Sequence, residues 1–300
     1  MKKSLFTLAV SLLTATVFGQ TNSVSEHVAA GSPKHLYNVH NPSSSAQSGM
    51  GETGSSDSQL YSQQEMCEPS PHHFTLGGKY TRAYLKPNAN PSFSGNMGGA
   101  QAAYEYQRPD FFYAGFTFDW RYGHLHASNG SRKLQDFNVQ ERLGYTLQVD
   151  RFNALVTFFT GFGYRHLRHS VDLNGFSSIK LYYNHFYIPV GVLKEFKLAS
   201  CFSLGANVIW MAQVFPTVTI SPIDGTRWKI KRQFKSFLVE LPLIFHLDTY
   251  VKNLSITLVP QFELWQDGRS TARTSSGTSL GLPENTYIFW SGELNVKYAF

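Results

Sequence analysis

The chain has 300 residues, with 26 Lys and Arg against 20 Asp and Glu, for a formal net charge of +6. Charged residues make up 15%, against roughly 25% in ordinary soluble domains, while 24 Phe, 16 Tyr and 5 Trp bring the aromatics to the same 15%. That balance excludes an ordinarily charged soluble surface and leaves two classes: a membrane β-barrel with aromatic girdles at its interfaces, or an aromatic-rich soluble β domain.

Lys2 and Lys3 precede an apolar run, Leu5 to Phe18, that exits through small residues at Gly19-Gln20. A basic start, a stretch too short to span as a helix and a small-residue exit make residues 1–19 a secretory signal peptide. Cleavage is expected after Gly19, with Ala15 as the alternative. Past residue 20 no apolar run approaches a membrane helix, so any crossing must be made by strands. Residues 20–73 are of low complexity, and the Ser-rich stretch Asn41 to Ser58 has too little to bury to offset its ordering entropy. They are expected to be a disordered periplasmic leader, with a plug threaded into the lumen as the alternative.

From Phe74 to Phe300 the text alternates, and ten segments are predicted: 74–86, 97–107, 111–122, 134–149, 153–166, 180–194, 201–215, 233–247, 254–266 and 286–300. In the third, Phe112, Phe116, Phe118, Trp120 and Tyr122 share one face, against Thr117, Asp119 and Arg121. Successive strand residues point to opposite faces, so the greasy parity suits lipid and the polar parity a lumen. The first segment is the least regular, because Lys79 and Arg82 fall on opposite faces. Pro189 and Pro260 lack a ladder donor and are expected at bulges.

Alternate connections are tight, at 108–110, 150–152, 195–200 and 248–253. The intervening ones are longer, at 87–96, 123–133, 167–179, 216–232 and 267–285. Strict short–long alternation is the pattern of a transmembrane barrel with short periplasmic turns. The predicted fold is therefore all-β, a ten-stranded antiparallel transmembrane β-barrel over 74–300.

In the last segment Phe300, Tyr298, Val296, Leu294, Trp290 and Ile288 stand on one parity. A strand closing on a terminal Phe, apolar at every second position before it, resembles the final strand of Gram-negative outer-membrane β-barrel proteins. The resemblance implies an outer-membrane location and recognition of Phe300, Tyr298 and Val296 by the barrel assembly machinery.

On the lumen parity the sequence places Glu105, Asp119, Glu240, Glu263 and Glu293 against Lys79, Arg121, Arg142, Arg165 and Lys297. A narrow barrel holds little beyond its side chains, and charges packed there must pair, so a closed, salt-bridged interior is expected. Much of the excess base lies in the fourth long loop and the start of the eighth segment, at Arg227, Lys229, Lys231, Arg232 and Lys235. Arg227, Lys229, Lys231 and Lys235 share the outward parity of Phe237 and Val239, which makes them candidates for phosphorylated glycolipid. A solvated charged loop and a host polyanion are the alternatives.

Elbow, phosphate-loop and dinucleotide glycine motifs are absent. His126-Ala-Ser128-Asn129, followed by Glu141, resembles the His-x-Ser-Asn motif of outer-membrane lipid A deacylases. That resemblance implies Ser128 as nucleophile, His126 as base and Glu141 as orienter. The motif comes early in ten strands rather than late in eight, and the Glu spacing is one residue longer. The strand number resembles the omptin proteases too, but the Asp-x-Asp and Asp-x-His that the family implies are not found. His124, His126, His166 and His169 are the candidates for a loop metal site; no metal or other cofactor is expected.

Cys67 and Cys201 are the two cysteines. Both fall on the periplasmic side of this topology, where a disulfide can form; two free thiols, or a bond to another envelope protein, are the alternatives. Three functions stay open: surface display, adhesion or envelope integrity through the loops and a glycolipid contact; a lipid-modifying enzyme; and a narrow channel. The partners expected are outer-membrane lipid and glycolipid, the assembly machinery, and a host or envelope partner at the loops, with no nucleic acid.

Overall fold

The computed structural model describes residues 70–88, 92–128, 130–172, 179–221, 227–270 and 281–300. The expected signal peptide, nearly all of the expected leader and Cys67 therefore lie outside the described residues.

Ten antiparallel staves close into a barrel. The first seven are β1 (His72–Pro87), β2 (Phe93–Tyr106), β3 (Phe111–Ala127), β4 (Gly130–Val149), β5 (Ala154–Asp172), β6 (Ile179–Ala199) and β7 (Phe202–Gln213). Beyond Pro216 the seventh stave resumes as β8 (Thr217–Ser221), which pairs with β6 and with β9 (Arg227–Lys229). The eighth stave is broken into β10 (Phe237–Glu240) and β11 (Leu243–His246), and both halves lie between β7 and β12 (Leu254–Asp267). The tenth, β13 (Asn285–Ala299), pairs with β1 from His73↔Ala299 to Pro87↔Asn285, which closes the barrel.

Two proline expectations are corrected. Pro189 pairs with Met211 and Pro260 with Gly292 in unshifted ladders; the register shift on β6 falls between Lys197 and Ala199 instead. The stave that breaks is the one carrying Pro242, whose ring fills the space a Cβ on Gly205 would need.

The tight turns sit at one end with Ser70 and Phe300, and the long connections at the other; we call these the turn end and the loop end. Strand extends into three of the expected loops. β3 and β4 pair continuously to Ala127↔Gly130, β5 and β6 to Val171↔Ile179, and β2 begins at Phe93.

The reason is a reversal of polarity along the staves. Toward the turn end the outside is apolar, with Phe74, Leu76, Phe112, Phe116, Phe158, Leu294 and Val296 all exposed, and the inside is polar. Toward the loop end the apolar residues turn inward: Ala83, Leu85, Phe93, Met97, Leu125, Leu134, Leu167, Val218 and Trp228 form a buried core within the lumen. Outside them stand Arg82, His124, Lys133 and Lys180. Lys79 and Arg82 are therefore both in place, one inside the polar half and one outside the apolar half.

Candidate functional site

The lumen is stratified. In its middle Asp136 and Glu263 alternate with Arg121 and Arg165. Arg121 Nη2 lies 2.6 Å from each acid and Arg165 Nη2 lies 2.6 Å from Asp136 Oδ2, while Arg165 Nη1 donates to Glu263. The guanidiniums stack on aromatics, Arg121 at 3.9 Å from the Phe289 ring centre and Arg165 at 4.4 Å from that of Trp265. Desolvating four ions is costly unless each is paired and hydrogen-bonded, and here each acid faces two cations.

On the loop-end side Asp267 accepts from Tyr287 Oη at 2.6 Å and Trp265 Nε1 at 3.0 Å, and lies 3.0 Å from His185 Nε2. Both Asp267 and His185 are 0% exposed, so the pair lies inside the packed lumen. On the turn-end side lies a cavity of about 180 Å³, into which Glu105, Glu240, Asn207, Gln261 and Lys297 project. Lys79 bridges Asp119 at 2.7 Å and Glu293 at 2.9 Å at its margin.

Asp136, Glu195, Asp267 and Arg132 also face inward, and the sequence count of lumen charges lacked all four. Among the described residues the lumen is thus richer in acid than in base. Asp136 carries the parity of Asn138 and Gln140 and was readable from alternation; His185 and Asp267 lie where the polarity has already reversed.

The outer wall near the loop end carries the opposite charge. Strand registers align Lys133, Ser170, Lys180 and Ser221 on one rung, and Gln135, Arg168, Tyr182, Thr219 and Arg227 on the next. A third rung holds Phe137, His166, Asn184, Thr217 and Lys229, above Val139, Tyr164 and Phe186 of the apolar belt. Five Lys or Arg stand on these rungs and no acid does. Lys231, Arg232 and Lys235 follow β9 outside any strand and are exposed, while Trp228 and Ile230 are buried.

No protein-family model matches the chain, and no curated protein matches it. Among solved structures, the outer membrane protease OmpT from Escherichia coli aligns over 78% of this chain and 98% of its own, at 10% identity and a TM-score of 0.52. The translocator domain of the autotransporter NalP from Neisseria meningitidis aligns over 78% and 90%, at 8% identity and a TM-score of 0.45. At 10% identity the match to the protease shows a shared barrel fold and nothing finer.

The structure does not assemble the Ser128, His126 and Glu141 arrangement. Ser128 and His126 are exposed at the tip of the β3–β4 hairpin. Glu141 pairs with Phe116, ten residues along β3 from His126, a distance of about 33 Å at strand rise. The histidines do not converge either. His169 is buried in the lumen beside Tyr287, His166 points outward to Asn184, and His124 and His126 lie outside on β3.

Cys201 is exposed in the turn before β7, and its candidate partner Cys67 is outside the described residues. Tyr298 pairs with Phe74 and Leu254, Val296 with Leu76 and Ile256, and Phe300 N donates to His72 O at 3.0 Å.

Proposed function

We propose that the protein is an integral outer-membrane barrel of a Gram-negative bacterium that works through its outer wall and loop end rather than through its lumen. Its role is envelope integrity or surface display, with phosphorylated glycolipid of the outer leaflet held by Arg227, Lys229, Lys231 and Lys235. The observation that carries this is the juxtaposition on one outer surface of an apolar belt and, directly above it, basic rungs without an acid. Hydrocarbon would cover the belt, and the phosphates of the leaflet would lie at the height of the cations. The assembly machinery would take the last strand, and a host or envelope partner would meet the loop end.

The filled lumen supports a closed barrel over a narrow channel, since a guanidinium–carboxylate layer and an apolar core lie across its path. The enzyme reading is not favoured. The Ser128 group is dispersed, and the Asp267–His185 pair has no exposed surface from which to act as a protease dyad.

The test is purification in detergent followed by quantification of bound glycolipid and planar-bilayer recording. Bound phosphorylated glycolipid and no stepwise conductance are expected, with the glycolipid lost from an Arg227→Gln, Lys229→Gln, Lys231→Gln, Lys235→Gln variant. Ion conductance, or glycolipid retention unchanged in that variant, would contradict the reading.

A further inference from the structure

The basic loop is one side of a larger surface. We propose that the outer wall of β5, β6, β8 and β9 forms a seat for a glycolipid with two phosphates, Arg168 and Lys180 taking one and Arg227 and Lys229 the other. The inference rests on the glycolipid reading and assigns to it residues of the barrel wall that the loop does not contain.

The register fixes the geometry. Arg168, Tyr182, Thr219 and Arg227 occupy successive strands of one rung. Adjacent strands lie about 4.8 Å apart, so three intervals separate Arg168 from Arg227 by about 14 Å. That backbone span leaves room for two phosphates at opposite ends of a disaccharide headgroup. Lys180 pairs with Ser170, two residues from Arg168, which puts two cations at the first position. Lys229 pairs with Thr217 one rung from Arg227 and supplies the second cation at the other. Arg forks onto phosphate through paired N–H donors and Lys adds a point charge, so each end has both kinds of phosphate partner.

The floor between the two positions is built. The Arg168 guanidinium lies 5.5 Å from the Tyr182 ring centre, and the His166 ring, also on β5, stacks on Tyr182 at 6.1 Å. Asn184 Oδ1 accepts from Tyr164 Oη at 2.7 Å and lies 2.8 Å from His166 Nδ1, which fixes the rings against one another. An aromatic face set between two cationic ends suits a sugar ring. Tyr164 and Phe186 continue below into the apolar belt, where acyl chains would lie.

Native mass spectrometry of the full protein in detergent tests this, with diphosphorylated lipid A, monophosphorylated lipid A and phosphatidylglycerol as probes. The parent should prefer the diphosphorylated form over the monophosphorylated one by roughly tenfold, as a second charge-assisted contact implies. Arg168→Gln/Lys180→Gln should erase that preference, whereas Arg82→Gln on the far wall should keep it. Heat-modifiable gel migration of each variant verifies the barrel. A wall variant that still prefers two phosphates overturns the seat. Loop variants that lose lipid while the wall variant binds as the parent leave the glycolipid reading standing without the seat. Phosphatidylglycerol bound as well as lipid A overturns both.

Discussion

Asp136 shows what a single lumen residue does. Its two oxygens receive Arg121 and Arg165 together, Nε of Arg165 at 2.9 Å and Nε of Arg121 at 2.7 Å. Removing that carboxylate leaves two guanidiniums sharing Glu263 alone, which costs about 3–5 kcal/mol in a buried pair. Asp136→Ala should therefore lower the temperature at which the folded gel band converts to the unfolded one. The exposed outward substitution Lys133→Ala should leave it nearly unchanged. Equal conversion temperatures would mean that the layer adds no stability. Most charged members of the layer were legible from parity, but their pairing was not, since Arg121 and Glu263 are 142 positions apart in sequence.

At the scale of the strand, alternation was enough to find ten staves but misread where they stop. The sequence rule placed apolar residues outside, and it holds only as far as the belt. Above it Leu125, Leu134 and Leu167 face the lumen while His124, Lys133 and Arg168 face out, so the continuing strands read as loops. The irregular first segment was this reversal seen in one stave, between Lys79 and Arg82. Sequence neighbours should therefore behave oppositely. Leu134→Ala opens a cavity in the lumen core and should cost about 2–5 kcal/mol, whereas Gln135→Ala on the outer face should stay within about 0.5 kcal/mol. Thermal melts in detergent would read both, and a Gln135→Ala loss as large as that of Leu134→Ala would refute the inward core.

For the whole molecule, the net charge of +6 conceals a division. Among the described residues the lumen holds more carboxylates than cations, and basic residues lie on the outer wall and in the segment after β9. Composition alone suggested a barrel but could not show that division, because it depends on which strands pair. The candidate glycolipid surface was only partly legible for the same reason: Arg227, Lys229, Lys231 and Lys235 are close in sequence, while Arg168 and Lys180 join them through β6 and β8.

In the proposed topology the turn end faces the periplasm, the loop end faces outward and the belt lies in the membrane. An epitope inserted at Ser128, at the tip of the β3–β4 hairpin, and another at Asn253, in the turn before β12, measure this on intact cells. Antibody should bind the Ser128 epitope directly and reach the Asn253 epitope only after the envelope is permeabilised. Binding at Asn253 on intact cells, or at neither site, would contradict the account.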